Sequence, residues 1–344
     1  MMRGHLVRLL MLLTLALAVV AAGWGAWAWV ALHTPYSGWD GEAAEVLLEP
    51  GVDAGTVLER LAAAGVLRRP RLARLWLSWS GGAEQLHAGE YRFERASSPV
   101  EVLTRLRRGD VVLHAVTLPE GLTYSEIAER LQQAGFGPVE PLIASFRDAS
   151  VIRDIDPAAQ DLEGYLFPDT YHFPRGAQPQ EIRDTLVRRF RDAMGQEYFD
   201  EAGRSRLGLR GSVTLASMIE KETAVADERR RISQVFHNRL QRGMRLECDP
   251  TVIYALERAG RSVERLTYAD LKFESPWNTY VIRGLPEGPI ANPGRESLLA
   301  SLSPSAGIEL YFVASPDGGH RFSENLTGHR RAVAEWRRHV RSSR

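Results

Sequence analysis

From Leu9 to Leu32 the chain carries no charged residue, a run of 24 positions. A helix needs about 20 apolar residues to cross the hydrocarbon layer of a bilayer. This stretch therefore constrains the rest: as an anchor, it would have the chain build whatever it builds beside a membrane. Trp24, Trp27 and Trp29 cluster toward the far end of the run, where an aromatic belt would lie. Arg3 and Arg8 precede it, and Asp40, Glu42 and Glu45 follow. That asymmetry places residues 1–8 in the cytoplasm, makes 9–32 the anchor, and puts everything after about residue 33 outside. The competing reading is a cleaved signal peptide, for which Ala26-Trp27-Ala28 has the small-x-small form. The run is long for a signal peptide and tryptophan is bulky beside such a site, so an uncleaved anchor is the expectation.

The remaining chain is long enough for two or three domains, at 344 residues in all. Basic and acidic residues balance at 43 each, so no global field points to nucleic acid as a partner. Cys248 is the sole cysteine, and an internal disulfide is excluded.

Past a polar connector at 33–45, Val46-Leu47-Leu48 reads as a strand and Glu49-Pro50-Gly51 as a turn. Val57, Leu58, Leu61 and Ala62 then repeat at helical spacing from Thr56 to Ala64, and Gly65 stops the helix. The unit recurs. VLLEPGVDAGTVLERLAAAG (46–65) aligns without gaps on VTLPEGLTYSEIAERLQQAG (116–135), with eight identities in twenty at an offset of 70 residues. A strand, a glycine turn and a short helix used twice suggest a small α+β packing module. Between the copies, Tyr91 and Phe93 alternate with polar residues as in a strand. Ser97-Ser98-Pro99 opens a helix closed by Gly109-Asp110, and Val111 to Val116 is a further strand. The arginines at 105, 107 and 108 read as a solvated helix end.

Residues 136–160 are helical in short pieces. The segment LEGYLFPDTYHFPRG (162–176) is aromatic, proline-punctuated and aperiodic, which suits either a groove wall or filler of a core beneath a loop. Pro179 to Gly195 is an amphipathic helix with Ile182, Leu186, Val187 and Phe190 on one face.

The sequence turns on Val213 to Pro250. With Leu215 as the zero of a helical wheel at about 100° per residue, Met218, Ile219, Val225 and Ala226 cluster around one stripe. Glu222 falls near its middle, whereas Glu220 falls on the flank. A carboxylate on an apolar face is poorly solvated, so its pKa should rise, and a carboxyl that stays protonated near neutrality is what a general acid needs. Thr223 follows, with a hydroxyl placed to position that carboxyl or a substrate. The alternative is a Glu222 that caps or pairs with an arginine on a half-exposed edge. Arg229 to Arg231 are expected to face solvent. Ile232, Val235, Phe236, Arg239 and Leu240 form a second helical stripe stopped by Gly243. Asp249-Pro250 reads as an N-cap followed by proline at the first helical position, with Val252 to Leu256 in the helix it opens.

FESPWNTYVIRGLPEGPIANPGR (273–295) holds four prolines and three glycines and is a shaped loop of the kind that carries function. Leu310 to Val313 and His320 to Phe322 make a hairpin about Asp317-Gly318-Gly319, and a basic helix with Val333, Trp336 and Val340 on one face runs from His329.

Several chemistries lack their motifs. Ser217 and Lys221 are four apart, not the three of an S-x-x-K acyl-enzyme. No G-x-S-x-G, P-loop or dinucleotide glycine pattern occurs. The histidines are scattered, so no metal site and no cofactor is expected. Cys248 has no evident activating histidine and reads as structural. What remains is an acid on an apolar helix face beside aromatic, proline-rich loops, outside the membrane. That combination suits chemistry at an uncharged leaving group such as a glycosidic oxygen.

The segments ASMIEKETAVADER, FHNRLQRGMRLECDPTVIYAL, Asn278-Thr279-Tyr280, GLPEGPIANPG (284–294) and GYLFPDTY (164–171) together resemble the endolytic murein transglycosylase (YceG-like) family, in that family's order, across about 160–325. The resemblance implies a single-pass inner-membrane protein of α+β class, with a LysM-like module at 46–140 and a catalytic domain at 160–344. It implies peptidoglycan glycan strands as substrate, cut internally to leave a 1,6-anhydro end, and Glu222, the second glutamate of EKET, as catalytic acid. Thr223, Asn278 and Tyr280 are candidate substrate contacts, and cell-wall synthases candidate partners. Two other readings stay open: a membrane-tethered glycan-binding scaffold without catalysis, and a hydrolase of muramidase type.

Overall fold

A computed structural model describes residues 2–49, 51–81, 86–316 and 318–342. The chain divides into two compact units, one of Met1–His114 with His172–Gly176 and the other of Ala115–Tyr171 with Ala177–Arg344.

In the first unit α1 (Met2–His33) contains the apolar run. The most apolar 18-residue stretch of its segment Val7–His33 has a mean hydropathy of 2.2, and none of that stretch is buried. By length and composition it is compatible with a single-pass membrane anchor. The connector after it is pinned: Tyr36 and Ser97 exchange backbone hydrogen bonds of 3.1 and 3.3 Å, and Gly38 N–H donates to the Gly65 carbonyl at 2.8 Å.

Strand β1 (Ala44–Leu48) is followed by α2 (Ala54–Ala63) and α3 (Pro70–Trp79), and it pairs antiparallel with β2 (Gly89–Phe93), Ala44 opposite Phe93 and Leu48 opposite Gly89. Alternation sends Val46, Leu48, Tyr91 and Phe93 into a core with Leu58, Leu61 and Leu77. Pro50, in the predicted turn after β1, lies outside the described residues. The side chain of Asp53 caps α2, accepting from Gly55 and Thr56 N–H at 2.8 and 3.2 Å. Sequence patterning did not reveal α3. Helix α4 (Pro99–Arg108) starts at a reciprocal Ser98–Glu101 capping box, as its Ser-Pro opening suggested, and adds Leu103 and Leu106 to the core.

Gly65 ends the first repeat copy at φ 74°, and a Cβ there would sit 2.5 Å from the Gly38 backbone. Gly65→Ala is therefore expected to destabilise this unit by at least about 2 kcal/mol, a left-handed penalty of about 1–2 kcal/mol plus the clash. Thermal unfolding followed by circular dichroism checks this, and an unchanged midpoint would contradict it.

Strand β3 (Leu113–Leu118) leads into the second unit and forms a two-stranded sheet with β4 (Asp169–Pro174). Helix α5 (Tyr124–Gln133) then repeats α2 at an offset of 70 residues at both ends. The two copies share more than their outline. Arg60 donates to the Leu47 carbonyl at 3.3 Å, and Arg130, its counterpart, donates to the Thr117 carbonyl at 2.6 Å. The arginine of each Glu-Arg-Leu thus ties helix to strand, which is a packing role.

Next come α6 (Val139–Phe146), a 3-10 turn (Ala149–Ile152) and α7 (Pro179–Arg204), whose helical backbone breaks at Gly195 (φ 68°, ψ 169°), the residue where sequence patterning ends the helix. Tyr165 and Phe167 of the aromatic segment are buried, Tyr165 edge-on to Phe190 at 5.3 Å, so this part fills core. Gly164 (φ 88°) is needed there, since a Cβ would meet Pro289 at 2.6 Å and Val213 at 2.8 Å.

The unit continues with α8 (Gly208–Glu222), α9 (Arg229–Gln241), α10 (Asp249–Arg258) and α11 (Arg295–Leu302). A hairpin of β5 (Tyr311–Ala314) and β6 (His320–Ser323) and a final helix α12 (Leu326–Ser342) complete it. Asp317 of the hairpin turn lies outside the described residues.

Three expectations change here. Helix α8 stops at Glu222, with Thr223 already extended (φ −143°, ψ 134°), so Val225 and Ala226 are not on its face and Val225 is exposed. Arg229 is not a solvent-facing residue: it lies 3.7 Å from both Glu120 and Glu220 with most of its side chain covered. Asp249 is not a cap either. Cys248 holds the N-cap position, Asp249 is the first helical residue, and its carboxylate is used elsewhere.

Candidate active site

Helix α8 presents three polar side chains with separate duties. Ser217 accepts from Ile290 N–H at 3.0 Å, and Glu220 accepts from Gly294 N–H at 3.0 Å. Both hold the 284–294 loop against the helix. Glu222, the last helical residue, is left half-buried beside a cluster that includes Leu215, Met218, Ile219, Ile232 and Phe236.

Burial pushes the Glu222 carboxyl above the ordinary carboxylate range, and the negative charge of Asp249 adds to the rise. A hydrogen bond from the Cys248 thiol and the fields of His320 and Arg239 pull the other way. The position at the helix C-terminus works with burial, because the helix dipole disfavours negative charge there. Burial likewise pushes the Cys248 thiol well up, and the neighbouring Glu222 reinforces it. The thiol is thus a neutral hydrogen-bond donor to the carboxyl, a role its sequence context did not reveal.

The ECDPT turn and the NTY loop are clamped together by a buried residue, Thr279. Its hydroxyl accepts from Cys248 N–H at 3.0 Å and lies 2.8 Å from the Thr251 hydroxyl. Glu247, which precedes Cys248, has φ 50°, the one positive φ outside glycine among the described residues. Such strain persists where surroundings over-determine it, and here Glu247 N–H donates to the Thr279 carbonyl at 3.3 Å while its carboxylate meets Arg239 at 3.3 Å. Arg239 is itself buried, donating to the carbonyls of Leu310, Arg245 and Leu246.

The predicted contacts fare differently. Tyr280 is half-buried, and its hydroxyl donates to Asp249 at 2.6 Å; burial and that acceptor both push its phenol upward. Asp249 is exposed, and its charge acts on Glu222. Thr223 is buried, and its hydroxyl accepts from Val225 N–H at 3.0 Å, fixing the turn after α8. Asn278 has no exposed surface. Its amide donates to the carbonyls of Leu271 and Phe273, and its oxygen accepts from Tyr280 N–H. That geometry makes Asn278 an internal strut of the loop rather than a surface that meets a ligand.

Sequence reasoning missed Asp249, Thr279, Cys248 and His320. His320 lies 2.7 Å from the Glu228 carboxylate and packs edge-on to Phe312. Only spatial neighbourhood brings β6 to the end of α8, and no local spacing signals it. A cavity of about 550 Å³ borders the segment after Thr223, lined by Ala226, Asp227 and Arg229 among others. Glu222 does not line it.

The YceG-like family model matches residues 46–335. A Bacillus subtilis (strain 168) protein named endolytic murein transglycosylase is 31% identical over 271 residues, covering 74% of this chain and 74% of that protein. A Streptococcus pneumoniae (serotype 2, strain D39) protein of the same name is 28% identical over 319 residues, covering 84% of this chain; the chain spans 56% of its length. The crystal structure of a yceG-like protein from Listeria monocytogenes superposes with a TM-score of 0.58 at 30% identity, covering 84% of this chain and 99% of that one.

Proposed function

The chain belongs to the YceG-like family, and from that premise we propose that it is an endolytic murein transglycosylase in which Glu222 is the acid and base. It cleaves the bond between N-acetylmuramic acid and N-acetylglucosamine within peptidoglycan strands and leaves a 1,6-anhydro end. The observation that carries this reading is the Glu222 carboxyl, half-buried at the C-terminal end of α8 and shifted toward its protonated form.

Protonated Glu222 donates its proton to the glycosidic oxygen as that bond breaks. The resulting carboxylate then takes the proton of the muramic acid 6-hydroxyl, whose oxygen bonds to C1 of the same sugar. No water enters. The nucleophile is tethered to its target, which supplies a proximity advantage, and one carboxyl serves where hydrolases use two. Tyr280, held by Asp249, offers an aromatic edge and a hydroxyl to the sugar, and Thr223 keeps the turn behind Glu222 in place.

Helix α1 is the single-pass anchor of this enzyme. Its basic flank (Arg3, Arg8) keeps the N-terminus cytoplasmic at the inner membrane, and the rest is extracytoplasmic. Residues 46–140 act as a LysM-like module, residues 160–344 carry catalysis, and cell-wall synthases are the partners beside which strands are cut.

Asp249, a second carboxylate close enough to raise Glu222, is what a muramidase-type hydrolase would need. Mass spectrometry of products from purified glycan strands separates the two. Anhydro ends, lighter by one water than reducing ends, are expected; reducing ends alone would exclude the transglycosylase.

The pH profile should respond to the two residues beside the acid. Glu222 must be protonated, so kcat/KM falls as pH rises through its pKa. Asp249→Asn removes a charge that raises that pKa, so the alkaline limb moves to lower pH. Cys248→Ala removes a hydrogen bond that favours the ionised form, so the limb moves to higher pH. Limbs that do not move in opposite directions would place the titrating group elsewhere.

A further inference from the structure

The exposed face of α3 has no role in the chemistry at Glu222, and its composition is unusual for a solvated helix. Trp79 is 88% exposed and Leu75 is 58% exposed. They are four apart and share a face with the exposed Arg71, while Arg68 and Arg69 sit exposed just before the helix. The opposite face, Leu72, Ala73 and Leu77, is buried in the core of the same unit. Helix α3 therefore presents a second apolar stripe, flanked by cations, with nothing among the described residues over it.

Its position relative to α1 says what covers it. The Arg69 guanidinium lies over the Trp27 ring at 4.8 Å. Trp27 is five residues short of Leu32, so at about 1.5 Å per residue this contact sits about 7–8 Å inside the end of the apolar run. Around it Val30, Thr34, Tyr36, Arg68 and Arg69 line a notch of about 140 Å³ between α1 and the start of α3. The backbone bonds of Tyr36 to Ser97 and Gly38 to Gly65 hold the unit against the end of α1, so with α1 across a bilayer the start of α3 is held at the depth where tryptophans and lipid phosphates meet. A helix with arginines beside exposed Leu and Trp is the composition that lies in a bilayer interface, and arginine pairs with phosphate through its planar fork.

We propose that α3 lies in the membrane surface next to the anchor, with Leu75 and Trp79 inserted among the lipids and Arg68, Arg69 and Arg71 on the phosphates of anionic phospholipid. This rests on reading α1 as a membrane anchor. Its consequence is orientation: the first unit is laid on the bilayer along α3 instead of turning freely about α1.

The test uses the full chain in phosphatidylglycerol-containing vesicles that carry a quencher lipid, with single cysteines labelled by an environment-sensitive fluorophore. Cys248 is 1% exposed and leaves the native background unlabelled. Labels at Leu75→Cys and Trp79→Cys should be quenched at least twofold more than one at Glu59→Cys, an exposed position on α2. In an Arg68→Glu, Arg71→Glu background the quenching at position 79 should fall at least twofold; no fall would overturn the role of the arginines. A label at Val19→Cys, in the middle of α1, reports the anchor. Quenching at 19 with positions 75 and 79 no different from 59 would overturn the interfacial helix and leave the anchor standing. Loss of quenching at 19 as well would overturn both.

Discussion

Glu222→Gln should lower cleavage of purified glycan strands by about 10²–10⁴-fold, the range for removing a general acid and base, while leaving thermal stability close to wild type. Glutamine matches glutamate in shape and still accepts from the Cys248 thiol, so the surroundings of residue 222 keep their packing. It also removes a carboxyl that burial, Asp249 and the helix terminus all hold in an unfavourable setting for charge. What it removes beyond that is the transferable proton. A purely glycan-binding scaffold would need the loops and the first unit but no proton at this position. If the variant digests strands as fast as wild type, the scaffold reading replaces the enzyme.

Glu163→Ala should be the most destabilising single change in the second unit, by about 3–5 kcal/mol. Glu163 is 2% exposed and joins three segments. One oxygen accepts from Tyr124 N–H at 3.0 Å and from the Asn292 amide at 2.8 Å; the other accepts from the Tyr254 hydroxyl at 3.1 Å. Truncation strands buried donors on α5, on the 284–294 loop and on α10 together. Since that loop is the one Ser217 and Glu220 hold against α8, activity should fall with the fold. Glu163→Gln keeps an oxygen for the first two donors and should cost far less.

Burial pushes the Glu163 carboxyl well above the ordinary range, and an unfolded glutamate titrates near about 4.3. The folded state therefore binds the proton more tightly. The stability linked to it is fully present below the unfolded pKa and is lost as pH rises from there through the folded pKa. Unfolding midpoints of wild type should decline over that window, and Glu163→Gln should flatten the decline. Equal slopes for both chains would remove Glu163 as the source.

Much of this fold is local and was readable as such. The apolar helix α1 is written in the absence of charge from Leu9 to Leu32, a length and composition compatible with a bilayer core, which rejects charge whatever surrounds the helix. The duplicated strand–turn–helix is written in glycines and a capped amphipathic face, and both copies form at the same offset. Where reading failed, a nonlocal partner decided. Helix α3 has a stripe that faces both a core and the outside, so its periodicity was blurred. Arg229 looked solvated until Glu120, more than a hundred residues earlier, met it.

The site divides along the same line. Spacing put Glu222 on an apolar stripe with Leu215, Met218 and Ile219, with a capping or ion-paired glutamate left open beside an acid, and the family resemblance pointed to the same residue. The sequence could not say that α8 would end on that residue, that the Cys248 thiol would meet it, or that Asp249 would turn from capping to holding Tyr280. Periodicity records which side chains avoid water, a property each segment carries by itself. Which polar groups then find one another depends on chain-distant elements packing together, and only the folded chain decides that.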